Sequence, residues 1–186
     1  MIDIVNQTSA TQREIGNRPV AVGSGRSLLL RRTYDATIEA VRSACTDPDR
    51  ISRRLTPIDG DLRLGGVEVR LALGGDGVGT VLELEHAAPA EIVDEMARTY
   101  GPGTTVGRGV GWELALLGLD LFQGGVTFDP ATWGDTPEAK EFVTAGSHAW
   151  GPAIQAAWGA GDDDLAAAVA FAAQHFAPVT GRDGGR

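Results

Sequence analysis

The stretch "GPGTTVGRGVGWELALLGLDLF" (residues 101–122) runs from a glycine-rich lead-in directly into a helical segment with almost no polar side. With 105–122 as a helix, Val106, Val110, Leu114, Leu117 and Leu121 form one apolar stripe. Trp112, Ala115, Leu116, Leu119 and Phe122 form a second, and Glu113 and Asp120 leave one thin polar line. A helix apolar on two sides is sandwiched between layers, so one side must meet a sheet and the other must meet further helices or a cavity. A phosphate cradle would instead need a strand, a tight glycine turn and a helix N-terminus. The glycines at 101, 103, 107, 109 and 111 fit neither G-x-x-x-x-G-K-[ST] nor G-x-G-x-x-G. They read as points of close backbone contact, with Gly107, Gly111 and Gly118 expected to carry it despite a propensity cost of about 1 kcal/mol each.

Working back from this helix, "PAEIVDEMARTY" (89–100) reads as a short helix, preceded by two alternating runs. In "VEVRLAL" (67–73), Val67, Val69, Leu71 and Leu73 face one way. In "TVLELEHA" (80–87), Thr80, Leu82, Leu84 and His86 share a face, opposite Glu83 and Glu85. The six residues "GGDGVG" between them make the pair a hairpin, in which Arg70 is expected to pair with Glu83 or Glu85. Further upstream, "RSLLLRRTY" (26–34) is a strand, and "DATIEAVRSACTD" (35–47) a helix capped by Asp35 with Ile38, Val41 and Cys45 on one side. Pro48 redirects that helix, and "PDRISRRL" makes a short second turn. Residues 1–25 are polar and end in "GSG", which reads as a loose arm. Downstream, 136–158 and 162–177 are helical, with Thr136 capping Pro137 and three aspartates at the favourable end of the last helix dipole. The tail "GRDGGR" is disordered by composition.

A chain of 186 residues with 42% hydrophobic and 22% charged content suits one domain with a real core. A net charge of −9 with no offsetting basic cluster argues against nucleic acid. The single cysteine, Cys45, allows no internal disulfide, which fits a reducing compartment. The N-terminus lacks the basic and apolar regions of a signal peptide, and the longest apolar run, "LAAAVAFAA" (165–173), is too short to span a bilayer. These features predict a cytoplasmic protein with no membrane partner.

Three segments resemble one family. "RTYDATIEAVRSACTDPDRISRRLTPIDGDLRLGG" is similar to the opening of an SRPBCC (START-like, Bet v 1-like) domain of the type related to the activator of Hsp90 ATPase. "VEVRLALGGDGVGTVLELEHAA" resembles that family's last two strands, and the 101–122 stretch resembles the start of its long C-terminal helix. The likeness covers residues 1–175. It implies an α+β fold in which a helix-grip-like antiparallel sheet packs on a long helix, followed by extra C-terminal helices. Departures are visible: Arg42 and Arg54-Leu55 stand where aromatic residues are usual, and "GDLRLGG" abuts "VEVRLAL" directly. About three strands, roughly thirty residues, are thereby missing. A switch of side-chain parity at Gly65-Gly66 fits two strands joined there by a bulge. The expected sheet is three-stranded, from 26–34, 62–73 and 80–87. It spans about 10 Å between outer axes under a helix of about 27 Å. The overhang must be covered by the C-terminal helices or by a second chain, or else leave the protein marginally stable. The expected division is an arm (1–25), a shortened SRPBCC-like domain (26–123), a helical extension (124–177) and a tail (178–186).

No metal or cofactor is expected, since His86, His148 and His175 lack ligand spacing. No catalytic residue is assigned: Cys45 lies on an apolar face, and no G-x-S-x-G elbow exists. Glu113 and Asp120 read as the solvated line of the helix or, pointing into a pocket, as proton acceptors. The arginines at 50, 53 and 54 read as a solvated face. The resemblance implies a pocket wall of Trp112, Glu113, Leu116, Leu117 and Asp120 on the helix and Leu82, Leu84 and His86 on the sheet. It implies a non-catalytic domain that holds a small hydrophobic molecule or acts as a stress-related regulator. A homodimer or protein partner would use the exposed sheet edge. One alternative is a polyketide cyclase/dehydrase-like enzyme, which needs Glu113, Asp120, His86 or Tyr34 to converge. Another is an interaction module whose cavity has been lost.

Overall fold

A computed structural model describes residues 2–47, 49–50, 67–75, 79–101, 103–126 and 130–176. The elements run α1 (Ile4–Ser9), β1 (Thr11–Val20), β2 (Gly23–Tyr34), α2 (Ile38–Thr46), β3 (Glu68–Gly75), β4 (Thr80–Pro89) and α3 (Ala90–Tyr100). They continue with α4 (Gly103–Gln123), α5 (Pro130–Trp133), α6 (Pro137–Ala149), α7 (Gly151–Trp158) and α8 (Asp162–Phe176). The strands form one antiparallel sheet in the order β1-β2-β4-β3, gripping the long helix α4. The α+β helix-grip arrangement is thus present.

The strand count differs from expectation. Four strands are described, because part of the presumed loose arm forms β1, paired along its whole length with β2. Its signal was hidden because two of its inward positions, Thr11 and Arg13, are polar, and Arg13 faces the Glu113 carboxylate on α4 instead of a greasy layer. The register stacks inner-face residues in rungs: Thr11, Arg32, Leu82, Leu73; then Arg13, Leu30, Leu84, Leu71; then Ile15, Leu28, His86, Val69. The first two rungs grade from polar at the β1 edge to apolar at β4 and β3, whereas the third is apolar except for His86 on β4. The outer face carries ion pairs instead, Arg31 with Glu83 at 2.7 Å and Arg18 with Glu85 at 2.9 Å. Both expected partners of Arg70 are therefore engaged elsewhere, and Arg70, opposite Glu85 in register, bonds Glu68 of its own strand at 3.1 Å. The turn after Arg50, the 60–66 strand, its parity switch and the tail lie outside the described residues.

The long helix is clamped from both flanks. Toward the sheet, Val106, Val110, Leu116 and Leu119 share a core with Leu28, Leu30, Tyr34, Leu82 and Leu84. The same core takes in Trp150, Ile154, Ala168 and Ala172 from the C-terminal helices and the turn between them. On another flank Leu117 and Leu121 pack with Ile4 of α1 and Phe142 of α6. The C-terminal helices thus cover the overhang, which a four-stranded sheet about 14 Å wide leaves beside a 21-residue helix about 32 Å long. Close approach is required at Gly109 and Gly103: a Cβ on Gly109 would land on the Trp150 indole, and one on Gly103 would strike the Phe171 ring. Of the three glycines expected to carry the contact, Gly107 and Gly118 are buried in α4.

Two local expectations are corrected. The N-cap of α2 is Thr37, whose side chain accepts from the Ala40 amide, not Asp35. The 136–158 segment is two helices rather than one, because Pro152 lacks an amide hydrogen and its ring crowds the preceding turn, so the first helix stops at Ala149. Thr136 caps α6 as expected, accepting from the Ala139 amide at 3.1 Å.

Candidate functional site

The eight residues expected to wall a pocket do not share one space. Leu82, Leu84 and His86 lie on the inner face of β4, and Leu116 and Trp112 of α4 meet them there. Leu117, Glu113 and Asp120 serve other contacts. Leu117 belongs to the cluster with Ile4 and Phe142. Glu113 is fully buried and accepts two bonds from the Arg13 guanidinium, at 2.8 Å from Nε and 2.6 Å from Nη2. Asp120 sits 3.2 Å from the Arg32 guanidinium and accepts from the Gln7 amide at 2.7 Å.

Neither expectation for the two carboxylates holds in full. Glu113 is not a solvated position, and it is not an unengaged proton acceptor. The polar line of α4 exists, but α1, β1 and β2 cover it: Arg13 and Arg32 project from the inner sheet face onto it. Arg13, Arg32 and Gln7 are the polar residues that sequence reasoning missed. The available signal was the pairing of two inward arginines with two carboxylates one heptad apart, and it needs the strand register to be seen.

His86 and Trp112 form the one polar contact within the sheet-side group. The Trp112 indole Nε1–H donates to His86 Nδ1 at 2.9 Å, with the rings edge to face at 5.9 Å. An acceptor Nδ1 places the proton of the neutral imidazole on Nε2. Burial, aided by the positive charge of Arg108, pushes the His86 pKa from 6.5 down to about 4. The unfolded chain therefore takes up a proton near pH 6.5 that the native state refuses until about pH 4, and native stability falls as the pH drops through that interval. In a pH series of melting temperatures from 7.5 to 4, the stability advantage of the wild type over His86→Gln should shrink below pH 6.5. A constant offset would contradict a buried neutral imidazole.

Tyr34, the remaining candidate of the enzymatic alternative, donates its hydroxyl to the Leu116 carbonyl at 3.1 Å within the core. Glu113, Asp120, His86 and Tyr34 are thus each held by different partners. Among the described residues, no three His, Cys, Asp or Glu side chains come together as a metal set. No helix there is long and apolar enough to cross a membrane.

No family model and no curated protein matches the chain. Solved structures do. The crystal structure of CalU16 from Micromonospora echinospora matches with 32% identity over 78% of this chain and 98% of that one, at a TM-score of 0.54. The solution NMR structure of CalU16 matches with 30% identity over 79% and 96%, at a TM-score of 0.59. The chain belongs to the CalU16 family. Nearly all of CalU16 is matched, so the sheet-and-helix arrangement is common to both proteins rather than a local coincidence. That arrangement agrees with the broad SRPBCC resemblance of the sequence. Relative to CalU16, about a fifth of this chain is additional.

Proposed function

We propose that this CalU16 relative is a non-catalytic SRPBCC-type domain that takes a small hydrophobic molecule against the inner face of β3 and β4. One observation carries the reading. The apolar ends of the rungs continue past the cover of α4: Val69 and Leu71 are 46% and 50% exposed, although they lie beside buried Leu84 and partly buried His86 on the core-facing side. An apolar strip that a core-facing strand leaves open is a surface for an apolar occupant. The absence of catalysis is supported by the engagement of Glu113 and Asp120 with arginines, which leaves neither as an unengaged base. A polyketide cyclase/dehydrase-like activity is compatible with the same fold, but it would have to draw on other groups than these four.

The test is mass spectrometry of small molecules released from the purified protein, followed by thermal shift with what is found. Val69→Ser and Leu71→Ser should each lower intrinsic stability by only about 1 kcal/mol, because about half of each side chain is exposed. They should also abolish the ligand-induced rise in melting temperature. No released molecule and no shift with apolar probes would overturn the reading. A regulatory role through protein contacts, as in activators of Hsp90 ATPase, is favoured by the same strip on β3, an edge of the described sheet. Loss of a partner or of dimerisation in the serine variants, without any ligand effect, would select that role.

A further inference from the structure

At one end of the sheet, where Thr105 and Arg108 of α4 pass over the rung of Ile15, Leu28 and His86, there is a half-open cavity of about 10 Å³. Three residues that carry side-chain donors line it, and among the described residues none of those donors has an oxygen or nitrogen partner. The Thr105 hydroxyl belongs to a side chain only 4% exposed and makes no hydrogen bond. His86 Nε2, the protonated nitrogen once Nδ1 accepts from Trp112, is buried and unpartnered. Arg108 has no carboxylate among the described residues and only a long contact from Nη2 to the Met96 sulfur at 3.9 Å. Its guanidinium is pushed below its usual pKa by burial alone. Arg26, the other cation at this cavity, is already neutralised by Asp94 through two bonds of 2.8 and 2.9 Å.

Buried donors are normally satisfied, and even a partly buried cation such as Arg108 is costly to keep without a counter-ion. A guanidinium, an imidazole N–H and a hydroxyl on residues that line one space share a single requirement: an oxygen acceptor with negative charge. The enclosed part admits about one oxygen atom, so one carboxylate oxygen enters it and the rest of the ligand lies in the open mouth. Its one positive charge left uncompensated among the described residues balances one negative charge. Ile15, Leu28, Val93 and Trp158 supply an apolar wall for a short tail.

We infer that Thr105, His86 and Arg108 form a binding site for the carboxylate of a small aliphatic monocarboxylic acid. The inference does not depend on an apolar ligand at β3, since a short acid reaches this cavity without touching Val69 or Leu71.

The experiment compares butyrate with the uncharged butyramide, with chloride and with inorganic phosphate, at matched ionic strength. The readouts are melting temperature and the His86 Nε2–H signal in long-range nitrogen-proton spectra. Butyrate should raise the melting temperature in a saturable manner and move the Nε2–H proton downfield. Butyramide should do neither. Arg108→Gln should weaken butyrate by more than about tenfold, as expected for loss of a charge-assisted bond. Thr105→Val, which keeps shape and folding, should weaken it by a few fold. Equal effects of butyramide or chloride, a response to phosphate alone, or an unchanged affinity in both variants would overturn the assignment. So would silence toward every probe, which would leave the three donors to water. The serine variants at Val69 and Leu71 should bind butyrate normally, which separates failure here from failure of the β3 reading.

Discussion

Glu113→Ala should destabilise the fold by about 3–5 kcal/mol, the typical result of removing one partner from a buried ion pair. Arg13 would be left with its charge in a site where its side chain is only 8% exposed. Its remaining bonds, to the carbonyls of Thr11 and Thr8, satisfy hydrogens without neutralising the charge. Because those bonds join the α1–β1 segment to itself, the effect should reach beyond the helix and loosen the docking of residues 4–20. Chemical denaturation gives the magnitude, and hydrogen exchange at β1 reports the spread. The double variant Arg13→Met with Glu113→Leu should recover much of the loss, because it removes both charges and keeps volume. A loss under about 1 kcal/mol in the single variant would mean that the pair is effectively solvated.

Gly109→Ala should be destabilising by about 1–3 kcal/mol, although alanine in a helix interior ordinarily gains about 1 kcal/mol over glycine. The added methyl would occupy the position of the Trp150 indole, a side chain with no exposed surface and so no room to swing away. Gly109→Val should cost more than alanine. Trp150→Leu, which makes space on the facing side, should relieve part of the penalty, so the two substitutions should be non-additive in a thermal or denaturant cycle. If Gly109→Ala raised the melting temperature, propensity would outweigh packing, and the close contact between α4 and the C-terminal helices would not constrain the helix.

The two substitutions bracket what could be read from the chain. That α4 is helical, long and covered on two sides follows from the spacing of Val106, Val110, Leu116, Leu117 and Leu121, and those side chains are buried. The hairpin of β3 and β4 follows from alternation across a turn, and its partners lie in register. Thr136 announces a helix start by chemistry that acts within three residues. By contrast, β1 could not be recognised, because Thr11 and Arg13 carry no apolar alternation. Their inward orientation makes sense only beside Glu113, a hundred residues on. The role of Gly109 was missed for the same reason. Helical phase says that several glycines share a face, but only the position of Trp150 says that Gly109 lies against an indole. The site residues divide likewise. Trp112, Leu116, Leu82, Leu84 and His86 do meet, whereas Glu113, Leu117 and Asp120 turn to other partners. Thr105 and Arg108 passed unnoticed, since an unpaired donor has no signature until its surroundings are known.

Local and periodic terms (helix period, strand alternation, caps and the proline break) are encoded by residues within a turn or two of one another, and these the amino-acid order determined by itself. Which charges neutralise each other, which glycine meets an indole and which donors are left without an acceptor depend on groups far apart in the chain. Buried charges and buried donors are decided by what lies within about 4 Å of them in space. Only the folded arrangement of α4 against β1, β4 and the C-terminal helices supplies those neighbours.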